Sequence, residues 1–324
     1  MITLLSSGAL NLIQDLGRSG CLSMGVSRSG AMDAPALMFA NQLVGNDECA
    51  AGIEVSNFPL RLRLEADTTF ACTGAQCRMV LDDQPVSTWW RVDAKAGQVL
   101  KLERPTLGAR AYLAFGGGLD IPLVMGSRST DLKAGFGGHF GRGLKRDDCL
   151  AVLQQPQSTM SGFGITPEDR AAFWRELGSG CVEVRVLAAA EHECFTEDAL
   201  AAFSCSTYEI TAQANRVGYR LSGPSLLLRQ PLELLSHGIV PGTIQVPPAG
   251  QPIVQMAEAN TCGGYPKIAT VIEADLWRLA QAPTGCAVRF CVVDVQSALD
   301  IHQYDTQTYG RLSAQIRSAV QRTA

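Results

Sequence analysis

The chain has 324 residues, of which 46% are hydrophobic and 18% charged, and a formal net charge of -4. That composition suits a compact protein with a sizeable core and excludes a disordered one. The acidic balance argues against nucleic-acid and anionic-membrane partners, both of which need a basic face.

Eleven cysteines are scattered along the chain. The closest pair, Cys72 and Cys77, does not have the CxxC spacing of a metal or redox site. No metal site is expected, and most cysteines read as small core residues of a protein in a reducing, cytoplasmic compartment. The first residues, MITLLSSGALNLIQDLG, lack a basic region and a long apolar core, so no secretory leader is expected. No run of about 18 apolar residues offers a membrane span.

In chain order, MDAPALMFANQLVG predicts a helix with Asp33 as N-cap and Pro35 in its first turn. Alternation around Arg61 to Glu65 predicts a half-buried strand, as do QVLKLE (98–103) and RAYLAF (110–115). The stretch QQPQSTMSGFGITPED (154–169) is rich in Gln, Ser, Gly and Pro and reads as a domain boundary. Beyond it, TPEDRAAFWRELG predicts a helix capped by Thr166, and FTEDALAAF another capped by Thr196. Strands follow at VEVRVLA (182–188), YRLSG (219–223) and AVRFCVV (287–293), with a short helix at IEADLWRLAQ. From Gln296 to Ala324 the tail reads as a polar helix. The organisation expected is mainly β: one β domain over 1–155 and a second over 165–324, built as barrels or sandwiches. A turn-then-strand form recurs weakly in AKAGQVLKLE, LKRDDCLAVL and APTGCAVRFCVV, which suggests duplicated construction.

Four clusters carry candidate chemistry. The first gathers Gln14, Asp15, Arg18, Arg28 and Asp33 around glycines. Arginine binds carboxylate or phosphate bidentately, but a capped turn with Arg18 paired to Asp15 explains the same residues. The second runs from Met125 to Gly143, with Arg128, Asp131 and Lys133 before a glycine-rich run. Such a run can close its N–H groups on an oxyanion, or simply form a tight hairpin. It is neither a Walker A loop nor a Rossmann fingerprint.

The third, ANRVGYRL, places Asn215, Arg216 and Arg220 beside an apolar strand. Starting the strand at Val217 puts Tyr219 and Leu221 on one face and Arg220 on the other, where a solvated face is the plain alternative. The fourth extends from SHGIVPGTIQVPPAGQPIVQM into AEANTCGGYPK. Gln245, Gln251 and Gln255 offer amides to a small polar ligand, and the prolines stiffen the wall that carries them. The histidines, His139, His192, His237 and His302, have no ligand spacing. No nucleophile elbow, HExxH or Ser-His-Asp order is present.

IQDLGRSG, GVSRSGAMD, NQLVGN, GSRSTD, FGGHFGRGL, NRVGYRL, SHGIVPGTIQVPPAGQPIVQM and GGYPKIATVIEADLWRLAQ together resemble the KipA/allophanate-hydrolase-subunit-2 family. This family is also called the biotin-dependent carboxyltransferase family. The likeness runs in order along nearly the whole chain and is strongest to its ATP-dependent 5-oxoprolinase branch. It implies two cyclophilin-like β-barrels, a few short helices and a helical C-terminal tail.

It also implies two partner chains of other types, one KipI-like and one LamB/YcsF-like. The implied substrate is the small molecule 5-oxo-L-proline, opened to L-glutamate with ATP (and Mg) in the complex. The other branches imply the carboxyltransferase part of a biotin-dependent urea or amide carboxylase, where biotin enters, or an antagonist of a KipI-like kinase inhibitor. Under the oxoprolinase reading, Arg128, Arg216 and Lys267 clamp charge, with Asp131 orienting one of them. Gln14, Asp15, Asn215, Arg220, Gln245 and Gln251 join the loop residues Glu258, Asn260, Thr261, Gly263, Gly264 and Tyr265 in reading the substrate. The family loop usually has Asp, Gln and Thr where this chain has Glu258, Asn260 and Cys262, which reads as a ligand wall slightly resized. Cys262 has no histidine near it in sequence and is not expected to be a nucleophile.

Overall fold

The computed structural model describes residues 1–153 and 162–321. By internal contacts it divides into two units. Unit 1 comprises Met1–Ser19, Ser29–Ala171 and Tyr309 onward, and unit 2 comprises Gly20–Arg28 and Ala172–Thr308.

Unit 1 contains β1 (Ile2–Ser6), β2 (Leu12–Gln14), α1 (Ala34–Leu43), β3 (Gly52–Val55), β4 (Leu60–Leu64), β5 (Thr68–Leu81), β6 (Gln84–Val86), β7 (Trp90–Ala94), β8 (Val99–Phe115) and β9 (Cys149–Leu150). Among the described residues these strands form one open sheet in the order β2-β3-β8-β4-β1-β9, with β5 also on β8 and carrying β6 and β7. The two expected strands at 98–103 and 110–115 are the ends of the single strand β8. Its first half pairs β4 (Leu60 with Leu102) and its second half pairs β3 (Ile53 with Leu113). The alternation of Leu60, Leu62 and Leu64 with exposed Arg61 and Arg63 aims the leucines at a core shared with Ile2, Leu4, Phe70, Leu100, Leu113 and Phe115.

Helix α1 starts where its sequence predicts. The Asp33 side chain accepts from the Ala36 amide at 3.1 Å, an N-cap bond. The same carboxylate is gripped by both terminal nitrogens of Arg170, at 2.6 and 2.8 Å. Both side chains are buried. Burial disfavours the charged form of Arg170, but the Asp33 carboxylate outweighs it and raises the guanidinium further above its usual range. Beside this pair the Tyr112 hydroxyl accepts from the Asp33 amide and donates to Glu54, which also accepts from the Met32 amide. Burial, with Glu54 and Asp33 close by, raises the Tyr112 hydroxyl well above the ordinary phenol range.

Helix α2 (Glu168–Gly178) crosses the division between the units. Unit 2 continues with β10 (Cys181–Ala188), α3 (Glu197–Cys205), β11 (Thr207–Ile210), β12 (Gly218–Ser222), β13 (His237–Gly238), β14 (Thr243–Gln245), β15 (Ile253–Gln255), β16 (Cys262–Gly263), β17 (Lys267–Val271), α4 (Leu276–Gln281), β18 (Ala287–Val292) and α5 (Val295–Gln321), whose last turns count with unit 1. Seven strands close a barrel in the order β10-β17-β14-β15-β12-β11-β18. Closure comes from β10, which pairs parallel to β18 and antiparallel to β17. Val184, Tyr208, Tyr219, Ile244, Val254, Ala269 and Phe290 are buried on its strands. β13 and β16 form a separate two-stranded ribbon.

The mainly β class, the two β units and the helical tail are as the sequence predicts. Closure distinguishes the units, since the closed barrel belongs to unit 2 while the unit 1 sheet keeps open edges. The division also departs from the 1–155 and 165–324 boundaries. It falls at Ala171, residues 154–161 of the expected linker lie outside the described residues, and the end of the tail groups with unit 1. The reason is apolar: Ile316 is buried with Phe39 and Trp89, and Tyr309 and Leu312 pack on that cluster. The Tyr309 ring meets Phe39 edge-on at 5.4 Å.

Removing one partner of a buried ion pair leaves an uncompensated charge. Asp33→Ala should therefore lower stability by about 3–5 kcal/mol in urea unfolding. A loss under about 1 kcal/mol would show that the pair and its cap are dispensable.

Candidate active site

The unit 2 site is built on one face of three barrel strands. Ile244, Val254 and Ala269 are in register and turn one way; Gln245 turns the other, in register with Ile253 and, across an irregularity that inserts one residue into β17, with Lys267. Gln255 lies two residues along from Ile253 and shares that second face. Further round, the same face carries Arg220, opposite Ile253 and exposed. Gln245 and Gln255 are nevertheless buried.

The loop after β15 is held at both ends. At its start, the Arg216 Nε donates to Glu258 Oε1 at 2.8 Å, and the Glu258 amide donates to the Arg216 carbonyl at 2.8 Å. Both side chains are buried. At its end, the Val246 amide donates to the Pro266 carbonyl at 2.9 Å. Between them the Thr261 carbonyl accepts from Ile239, and the ribbon sets His237 opposite Gly263 and Gly238 opposite Cys262. Gly263 has a physical reason: a β-carbon there would lie 2.6 Å from Gln245 Nε2.

Lys267 enters this loop at the start of β17. Its ammonium lies 3.0 Å from Glu191 Oε2, which also accepts from the Lys267 amide at 3.1 Å, and it contacts His237 Nε2. The other ring nitrogen of His237, Nδ1, lies 2.9 Å from the Leu235 carbonyl, which can only accept. The imidazole therefore carries its proton on Nδ1 and accepts from Lys267 through Nε2. An ammonium has three donors. Glu191 and His237 use two, and the third has no partner among the described residues. This is a fixed cation beside two amides, suited to an oxygen on which negative charge grows.

Four of the expected residues do structural work. Glu258 and Arg216 neutralise each other and anchor the loop. Asn215 is exposed, and its carbonyl oxygen caps the turn by accepting from the Val217 and Gly218 amides. Gln251 spends both ends of its amide on the Gly223 backbone, at 2.9 and 3.1 Å. Gln245 and Lys267 lie on the barrel strands, Gly263 lies in the ribbon against Gln245, and Gly264 and Tyr265, the latter 48% exposed, link the ribbon to β17, with Asn260 and Thr261 in the loop leading to the ribbon. Glu191 and His237 joined no site in the sequence reading. They lie 76 and 30 positions from Lys267, and no local pattern links them. Gly238, not a catalytic-type residue, faces Cys262. Both ring nitrogens of nearby His237 are engaged, Nδ1 at the Leu235 carbonyl and Nε2 at Lys267.

In unit 1, Asp15, Arg128 and Asp131 come together differently. The Asp15 carboxylate accepts from the Gly17 amide, the Ser127 and Ser129 hydroxyls and the Arg128 amide, at 2.5 to 2.8 Å. Arg18 does not pair with it. Arg18 is buried, donates from Nη2 to the Ser129 carbonyl at 2.6 Å and lies over the Phe136 ring. Gln14 bridges the Thr130 carbonyl and the Gly30 amide. The Arg128 guanidinium donates to the Ile121 carbonyl, and Asp131 accepts from the Ala134 amide. Gly137 and Gly138 have positive φ, and a β-carbon at either would collide with Ser129 or Thr130. The glycine-rich run is thus a packed turn on 127–131.

It closes on Asp148, whose carboxylate receives a bidentate Arg142 at 2.7 and 2.8 Å, with His139 at 3.5 Å. Burial pushes the Asp148 carboxyl up, but the Arg142 hydrogen bonds, the Lys145 amide and His139 outweigh it and hold it at about 2. An unfolded aspartate titrates near ~3.9. A depressed native pKa stabilises above the unfolded value, and that contribution fades as pH falls from about 4 towards about 2. Asp148→Asn should flatten the acid limb of the urea-unfolding profile in that window, and an unchanged limb would dismiss the linkage.

The Arg216–Glu258 anchor and the half-buried Lys267 should respond differently to truncation. Glu258→Ala strands buried Arg216 and should cost about 3–5 kcal/mol in unfolding. Lys267→Ala, whose partners are only partly buried, should cost about 1 kcal/mol. Equal losses would contradict the assignment.

Known proteins share this architecture. The family model described as carboxyltransferase domain, subdomain A and B, matches residues 24–292. The chain is 44% identical over 309 residues to the 5-oxoprolinase C subunit of Escherichia coli (strain K12), covering 95% of this chain and 96% of that protein. It is 40% identical over 303 residues to the Haemophilus influenzae protein of the same name, covering 94% of each. Its fold matches the crystal structure of the Kluyveromyces lactis urea amidolyase with a TM-score of 0.86 at 26% identity, over 95% of this chain and 20% of that one.

Proposed function

The chain belongs to the carboxyltransferase-domain family, and from that membership we propose that it is one subunit of an ATP-dependent 5-oxoprolinase. The reaction converts 5-oxo-L-proline to L-glutamate while ATP becomes ADP and phosphate. Likeness over nearly full length to two proteins named as the C subunit of 5-oxoprolinase supports the reading. The observation that carries it is the Lys267 ammonium, held by Glu191 and His237 beside the Gln245–Gln255 amides.

A lactam resists hydrolysis because its nitrogen lone pair is delocalised into the carbonyl. In the proposed chemistry the lactam oxygen takes the γ-phosphoryl of ATP and ADP leaves. Water adds at C5, and the C–N bond breaks to give the amine and a γ-acyl phosphate. A second water splits that to phosphate and the new carboxylate. Phosphoryl transfer depends mainly on positioning and charge stabilisation. Lys267 supplies the positive charge at the lactam oxygen. Arg216 acts through Glu258 as a positioning residue for the loop, and Arg128 and Asp131 hold the unit 1 turn. Arg220, exposed on the same barrel face, is the remaining cation within the site's strands.

ATP, with its Mg, is a substrate of the assembled enzyme. Among the described residues nothing resembles a nucleotide loop, so its binding is assigned to the complex with the KipI-like and LamB/YcsF-like partner chains. The likeness to a urea amidolyase favours a second reading, the carboxyltransferase component of a biotin-dependent urea or amide carboxylase. There the same cation and amides would face a ureido group.

The deciding experiment co-expresses this chain with both partner chains and follows ADP and glutamate from 5-oxoproline and ATP. Stoichiometric products that need all three chains are expected, and Lys267→Ala should lower coupled turnover by more than ~10-fold, the size of one lost charge-stabilising contact. A stable complex without turnover would transfer the assignment to carboxylation, and wild-type turnover in Lys267→Ala would remove Lys267 from the mechanism.

A further inference from the structure

Gln255 is 5% exposed, and its Oε1 has no hydrogen-bond partner among the described residues. Its orientation follows from its neighbours. Gln245 Nε2 donates to the Tyr265 carbonyl at 3.5 Å, so Gln245 Oε1 is left to accept. Gln255 Nε2 donates to that oxygen at 3.1 Å. The chain of amides therefore runs in one direction and ends on an acceptor. A buried acceptor without a donor is unfavourable, and native proteins rarely keep one without a reason. What this end of the site lacks is an N–H.

We propose that Gln255 Oε1 is the acceptor for the substrate's amide N–H, which makes Gln255 a specificity-determining residue. The inference rests on the proposed oxoprolinase reading. A lactam presents an acceptor oxygen and a donor N–H on adjacent atoms. Lys267, in register with Gln245, offers the donor, and Gln255, two residues along from Ile253 and bonded to Gln245 through its Nε2, offers the acceptor. A site whose buried polar group needs its partner rejects the analogue lacking it far more strongly than an apolar pocket rejects a missing methylene. The oxygen analogue of 5-oxoproline, the five-membered lactone acid, keeps the shape and the carbonyl and loses only the N–H.

The test uses the reconstituted complex of all three chains, wild-type and Gln255→Met, a change that keeps volume and removes the acceptor. Dissociation constants for 5-oxo-L-proline and for its lactone analogue are measured by calorimetry, with turnover followed in parallel. The expected result is a loss of about 10-fold for the lactam, the value of one hydrogen bond, and less than about 2-fold for the lactone. Equal losses for both ligands would make Gln255 a structural residue, and no loss for either would leave its acceptor to water; each overturns the proposal. Turnover of 5-oxoproline by the wild-type complex with a flat binding pattern overturns the Gln255 role and leaves the oxoprolinase reading standing. The selective binding loss without turnover does the reverse. No wild-type binding of either ligand overturns both.

Discussion

The proposed site of unit 2 depends on a buried ion pair at the root of its loop, Arg216 with Glu258. Arg216 sits just before β12 and Glu258 three residues after β15, and their side chains and backbones bond together. These two strands are neighbours in the barrel, so the pair locks their ends where the loop leaves. From that fixed point the loop runs past the Gln245 amide and returns to place Lys267. A buried pair of this kind contributes little net stability over an apolar one, but it penalises every arrangement that separates it. It selects one path for a loop that its glycines would otherwise leave free.

The same use of charge recurs in unit 1. Asp33 and Arg170 tie α1 to the segment after the linker, Asp15 gathers two hydroxyls and two amides, and Asp148 holds Arg142. Each of these carboxylates accepts from several fixed donors of the chain itself. Lys267 differs. It is held by two groups and keeps a third donor, on a face that also offers amides. Groups fully satisfied inside a protein stiffen it, while groups left one bond short mark where something else binds.

Much of the fold was legible in the sequence because the signals are local. Asp33 and Thr196 cap their helices as their positions imply, and the alternation of Tyr219, Arg220 and Leu221 predicts which faces inward. The sequence predicts two strands where β8 is one, since ERPTLG in its middle carries Pro105 and Gly108. Pairing with β5 on one side carries the strand through that interruption, and β8 takes up the extra residues at the register shifts between Ala111 and Leu102. The expected pairing of Arg18 with Asp15 was natural for residues three apart, but hydroxyls and amides from 127–129 reach the carboxylate first.

What the sequence determined by itself is the material: strands with apolar alternation, capped helices, a stiff proline-rich wall and a glycine loop carrying amides and a lysine. These follow from steric and hydrogen-bonding rules that act over a few residues. The tertiary structure alone decided which sheet closes, where the tail packs, that Arg216 is neutralised and that Glu191 and His237 hold Lys267. Closure depends on β10 meeting β18, strands far apart in the chain, and a charge becomes an anchor or a reactive group according to what lies beside it. Neither is written in any short stretch of chain, because partners separated by tens of residues meet only once the barrel has formed.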